Sequence, residues 1–124
     1  MDPIYELQAE VMKTLAHPRR LQILHRLQGG PVEVGRLARD LDISQPNASQ
    51  HLALMRAAGI VVAERDGRDV RYRLADPDVV RACGLMTDVL RRRFDTLARV
   101  WASGPAVGEP AEPRATTGTT TVTR

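Results

Sequence analysis

The chain has 124 residues, enough for one domain with a modest core. Its 18 Lys and Arg against 15 Asp and Glu leave a net charge of +3, a mild basic bias that is compatible with nucleic acid and decides nothing alone. The single cysteine, Cys83, excludes an internal disulfide and a cysteine-only metal site, and no apolar run approaches the roughly 18 residues of a membrane span.

The first helix is expected over Pro3–Ala16, where Ile4, Leu7, Val11 and Leu15 recur at helical spacing. The start "MDPIYELQAEV" lacks the basic residues of a secretion signal, so a cytoplasmic location is expected. A second helix starts at Pro18, lines one face with Leu21, Leu24 and Leu27, and stops at Gly29-Gly30. A third runs over Val32–Leu41 with Val34, Leu37, Ala38 and Leu41 inward. The fourth follows a "DIS" turn, capped by Ser44 and closed by Gly59.

After Gly59 the period changes from helical to alternating. "IVVAERDGRDVRYRL" reads as a β-hairpin: Val70, Tyr72 and Leu74 alternate with Arg71 and Arg73, and Asp66-Gly67 signals the turn. A last helix is expected over Pro77–Trp101. Its seam is Val79, Cys83, Met86, Leu90, Phe94, Leu97 and Trp101, at alternating steps of four and three. From Ala102 onward Pro, Gly, Thr and Ala dominate without periodicity, so 102–124 is expected to be a disordered tail beyond a single domain over 1–101. The order is α-α-α-α-β-β-α, mostly helical with a hairpin wing: a winged helix-turn-helix.

The fourth helix is unusual in its polar residues. Ala48, Leu52 and Met55 share one side and suit a buried anchor. Pro46, Ser49, Gln50 and Ala53 lie opposite, with Asn47 on the flank. Amides and hydroxyls near a helix N-terminus can bond base edges, Gln and Asn to adenine above all. On this helix alone a base-reading face and a plain surface helix stand level. The hairpin tips the balance, because Arg65, Arg68, Arg71 and Arg73 beside a helix-turn-helix can grip flanking phosphates.

"LAHPRRLQILHRL", "SQPNASQHLALMRAAGIV" and "RDGRDVRYRL" together resemble the ArsR/SmtB family of bacterial winged-helix repressors, over roughly Met12 to Leu85. The resemblance implies a homodimer on a palindromic double-stranded operator, released by an effector the sequence does not name. It implies DNA contacts from Ser44, Gln45, Asn47, Ser49 and Gln50, with wing contacts at Arg68 and its neighbours. It also implies dimerisation through the first helix (Ile4, Leu7, Val11) and the last (Val79, Cys83, Met86, Leu90, Phe94, Leu97). His51 falls beside the packed stripe, where a structural role is favoured; His17 and His25 are read the same way.

The family's usual metal sites are not matched. Glu33 and Gly35 stand where a Cys-x-Cys pair would be. On the last helix Asp76 matches, but Asp78 replaces a histidine, and Val89 and Arg92 occupy the later pair. No metal and no cofactor are therefore expected. No nucleophile–base pattern or phosphate loop suggests an enzyme. Two other readings stay open: a winged-helix module that binds proteins through its last helix, and a redox-responsive repressor acting through Cys83.

Overall fold

In the computed structural model, which describes residues 1–102, the first two helices begin where the chain supplies an acceptor for their first unpaired N–H groups. The Asp2 carboxylate accepts from the Ile4 amide at 2.9 Å and opens α1 (Pro3–Leu15). The His17 ring Nδ1 accepts from the Arg19 amide at 3.1 Å and opens α2 (Pro18–Arg26). Each has proline in its first turn, where the missing N–H costs nothing. After a 3-10 turn over Leu27–Gly29 come β1 (Val32–Glu33), α3 (Val34–Leu41), α4 (Gln45–Ala57), β2 (Val61–Asp66), β3 (Asp69–Leu74) and α5 (Asp78–Ala102).

Four local readings are corrected. Val32 and Glu33 do not begin the third helix; they form β1 and pair antiparallel with Tyr72 and Arg71 of β3, giving a three-stranded sheet in the order β1-β3-β2. A two-residue strand is too short to show a period of two. In α2 the buried residues are Ile23 and Leu24, followed by Leu27 in the 3-10 turn, while Leu21 is 44 % exposed. The hairpin loop is Gly67-Arg68, because Asp66 pairs directly with Asp69. Gly67 alone takes a positive φ there, 63°, as the first position of a type II′ turn requires. Finally, α5 continues through Ala102; the rest of the tail expected over 102–124 lies outside the described residues.

The chain divides into two units, Met1–Cys83 and Gly84–Arg124. The first contains the core, where Leu15, Ile23, Leu24, Leu37, Leu52, Met55, Ile60, Val61 and Val80 form one buried cluster. The described part of the second unit, residues 84–102, is the remainder of α5.

The turn from α3 into α4 sets the helix-turn-helix. Asp42 takes the left-handed conformation, φ 56° and ψ 48°. Its amide donates to the Arg39 carbonyl, and the Ile43 amide donates to the Ala38 carbonyl at 3.0 Å. These two bonds satisfy the last carbonyls of α3 and end it abruptly. A short acidic side chain tolerates this backbone better than most residues. The end of α4 uses the same device with Gly59 at φ 77°: Ile60 donates back to Met55 at 2.9 Å, and both side chains are buried.

Two neighbouring leucines of α4 test this packing. Leu52 is fully buried and Leu54 is 47 % exposed. In chemical denaturation Leu52→Ala is expected to cost about 2–5 kcal/mol. Leu54→Ala is expected to stay within about 0.5 kcal/mol of the parent.

Candidate nucleic-acid interface

The buried side of α4 determines what its other side presents. Ala48, Leu52 and Met55 are each fully buried, so the helix cannot rotate about its axis without emptying the core. Gln45, Asn47 and Gln50 consequently face solvent, and Ser49 is half-buried. The Ser44 Oγ accepts from the Asn47 amide at 3.1 Å, so its lone pair caps the helix. Gln45, Asn47 and Gln50 therefore offer three uncharged amide heads on the first turns. Together with the positive end of the helix dipole they suit base edges and phosphate.

The "HPRR" segment fastens this helix to the rest. Arg20 donates through Nε to His51 Nδ1 at 3.2 Å and through Nη1 to the Thr14 carbonyl at 2.9 Å, tying α4 to the end of α1. Arg19 donates through Nη1 to the Leu41 carbonyl at 3.2 Å, where a cation meets the negative end of α3. The His17 and His51 rings meet edge to face, with centroids 4.7 Å apart. His51 is thus a bracing residue. Burial, then the charges of His17, Arg20 and Arg19, hold its pKa below the ordinary 6.5.

The wing arginines divide between two faces. Arg65 shares a face with Val61 and Ala63, on the core side, and Arg68 stands in the two-residue tip. Arg71 and Arg73 lie on the other face with Glu33 and Glu64. Arg73 is committed within the sheet: its Nε meets Glu64 Oε2 at 2.7 Å and its Nη1 donates to the Leu74 carbonyl. Arg65, Arg68 and Arg71 make no ion pair among the described residues.

Sequence reasoning did not single out Arg36 or Arg39 of α3, although both are exposed. Arg39 Nη1 and Gln45 Oε1 lie 3.6 and 3.5 Å from the point a side-chain carbon on Gly35 would occupy. A side chain at position 35 would touch both groups. The signal available was the series Arg36, Arg39 at helical spacing just before α4.

The residues assigned to a dimer contact behave differently along the chain. On α1, Ile4 and Leu7 are 52 % and 60 % exposed, and Val11 is half-buried. Val79 and Cys83 pack against the core of the first unit. Further along α5, Met86, Leu90, Phe94 and Leu97 are exposed. Burial pushes the Cys83 thiol above its usual value, which opposes thiolate chemistry. Asp76 accepts from the Asp78 amide at 2.9 Å, and Asp78 pairs with Arg81 at 3.0 Å. Among the described residues no three His, Cys, Asp or Glu side chains stand close enough to hold a metal ion. No helix among them is long and apolar enough to cross a membrane.

A helix-turn-helix whose second helix presents an uncharged polar face, followed by an arginine-bearing hairpin, defines a winged helix-turn-helix of the DNA-binding class. A family model described as a helix-turn-helix domain matches residues 15–64. The chain is 41 % identical over 92 residues to the HTH-type transcriptional regulator Rv0081 of Mycobacterium tuberculosis, covering 73 % of this chain and 81 % of that protein. The crystal structure of Rv0081 superimposes with a TM-score of 0.69, over 79 % of this chain and 99 % of that one, at 38 % identity. The HTH-type transcriptional regulator CmtR of Mycobacterium tuberculosis is 39 % identical over 104 residues, 84 % of this chain and 87 % of its own. A homodimeric winged helix-turn-helix DNA-binding domain from Mycobacterium bovis, described as a possible ArsR-family regulator, superimposes with a TM-score of 0.70 at 32 % identity, over 77 % and 92 % of the two chains. The chain belongs to the ArsR/SmtB family of DNA-binding transcriptional regulators.

The His51 brace predicts a pH dependence. Because its folded pKa is depressed, the unfolded chain takes up a proton that the fold refuses as pH falls below 6.5. Stability is therefore full above that value and is lost as pH falls through the lower folded pKa. Denaturation at about pH 7.5 and about pH 5.5 checks this. His51→Gln, whose amide oxygen can still accept from Arg20, is expected to lose less stability over that interval than the parent.

Proposed function

We infer that the chain acts as a homodimeric repressor, two copies presenting their α4 faces to successive major grooves of a palindromic operator, with release by an effector. The observation that carries this reading is the exposed trio Gln45, Asn47 and Gln50, held outward by the buried Ala48–Leu52–Met55 stripe. In B-DNA the major groove admits an α-helix, and a carboxamide can pair with adenine in a bidentate fashion. Ser44 and Ser49 add hydroxyls beside the trio. Arg65, Arg68 and Arg71 supply charge for phosphates on either side, while Arg73 serves mainly to hold the wing through Glu64.

A second copy is supported by exposed apolar surface. Leu90 and Phe94 on α5 are 57 % and 67 % exposed, with Met86 and Leu97 along the same seam. On α1, Ile4 and Leu7 are exposed likewise. Monomeric proteins rarely leave a run of large apolar side chains along one helix in water. The Mycobacterium bovis relative is homodimeric by its own description, which agrees with this reading. No cofactor takes part in it.

Binding to the DNA upstream of the chain's own gene, compared with random duplex at one fixed salt concentration, tests the reading. Tighter binding to the former is expected, and equal affinity for both would overturn it. Gln50→Ala is expected to erode the preference by about 1–3 kcal/mol if it contacts a base. Phe94→Glu places a charge in the apolar seam; it is expected to run as a monomer in solution and to lose most of its operator affinity.

A further inference from the structure

Four arginines converge on a cleft that no residue of α4 lines. It has a volume of about 430 Å³, and Arg26, Arg36, Arg39 and Arg71 surround it together with Glu33 and the Gly29–Val32 segment. Two of the four are committed to one carboxylate. Arg26 Nη2 and Arg36 Nε lie 2.8 and 3.4 Å from the two oxygens of Asp40. The Arg26 hydrogen bond above all holds that carboxyl below its ordinary pKa. The guanidinium groups of Arg39 and Arg71 make no hydrogen bond or ion pair among the described residues. Counting Asp40, paired with two of the arginines, and the lining Glu33, four cations stand against two carboxylates, and the cleft stays electropositive.

Its position gives this charge a use. One end, Arg39, lies near the start of α4: its Nη1 and the Gln45 Oε1 both fall within 3.6 Å of the position a side-chain carbon on Gly35 would take. The other end, Arg71, stands on β3, the central strand of the wing. The cleft therefore bridges the helix-turn-helix and the wing. A duplex seated on both runs its sugar–phosphate strand between them. A guanidinium fork matches the oxygens of a phosphate, and an arginine without an internal partner gives up no ion pair to bind one.

Resting on the repressor reading above, we propose that this cleft is a phosphate clamp. Arg39 and Arg71 take a backbone phosphate of the bound duplex outside the bases that α4 reads, and the Arg26–Asp40–Arg36 set braces the wall. A free phosphate-bearing ligand would use the same chemistry, so the test separates the two sources.

The full-length chain and its Arg39→Gln, Arg71→Gln and double variants are titrated with operator and with random DNA over a range of salt. Lys13→Ala, on α1, controls for the loss of one positive charge. Each cleft variant is expected to weaken both DNAs alike, keep their affinity ratio, and reduce the log–log salt slope by about 0.9 more than the control does. An operator carrying one neutral methylphosphonate at the clamped position is expected to bind the parent less tightly and the double variant unchanged. Slopes that match the Lys13→Ala control would overturn the clamp. So would unchanged slopes combined with loss of inorganic phosphate binding measured without DNA, which would assign the cleft to a free ligand. A parent protein that fails to prefer its operator counts against the repressor reading instead, because that outcome is read from the parent's affinity ratio and not from the variants' slopes. Circular dichroism confirms that the variants fold.

Discussion

The rotation of one helix about its own axis is the constraint on which the rest depends. α4 has little charge, and its polar residues would be unremarkable if they faced the core or were spread around its circumference. Ala48, Leu52 and Met55 prevent both, because all three are fully buried at one helical stripe. Turning the helix by even one residue, about 100°, would drive polar side chains, Asn47 and His51 or Ser49 and Arg56, into a close-packed interior and leave them without partners. Function on the outside of α4 is a consequence of packing on its inside.

Orientation of the helix as a rigid rod needs a second set of restraints, and polar bonds supply it. The left-handed Asp42 sets the exit from α3. Arg19 reaches the Leu41 carbonyl at that exit, and Arg20 links the end of α1 to His51 in the middle of α4. These bonds are partly buried, where geometry is better defined and solvent screening weaker than at the surface. Two successive arginines thus hold both helices of the reading head.

The arginines illustrate how poorly a charge count describes a surface. Arg19, Arg20, Arg26, Arg36 and Arg73 are occupied by carbonyls, a histidine or carboxylates of the fold itself. Arg39, Arg65, Arg68 and Arg71, on α3 and the wing, have guanidinium groups that make no such pair among the described residues. A net charge of +3 would be the same if these roles were exchanged. What distinguishes the groups is which carboxylate or carbonyl lies within reach, and that is a property of the folded chain.

Local signals of strong periodicity were legible in the sequence by itself: the amphipathic stripe of α4, its Ser44 cap and Gly59 stop, the alternating wing and the long seam of α5. Each arises from bonds or faces within a few residues, so the linear order contains it. Tertiary structure alone decided the two-residue strand β1, which exists only because β3 passes beside it, and the choice of Ile23 over Leu21 for the core. It also decided that Arg73 turns to Glu64 and that Arg39 and Gln45 both lie over Gly35. These are contacts between segments whose separation in space is unrelated to their separation in sequence, and only the packed chain brings them within the few ångströms over which side chains interact.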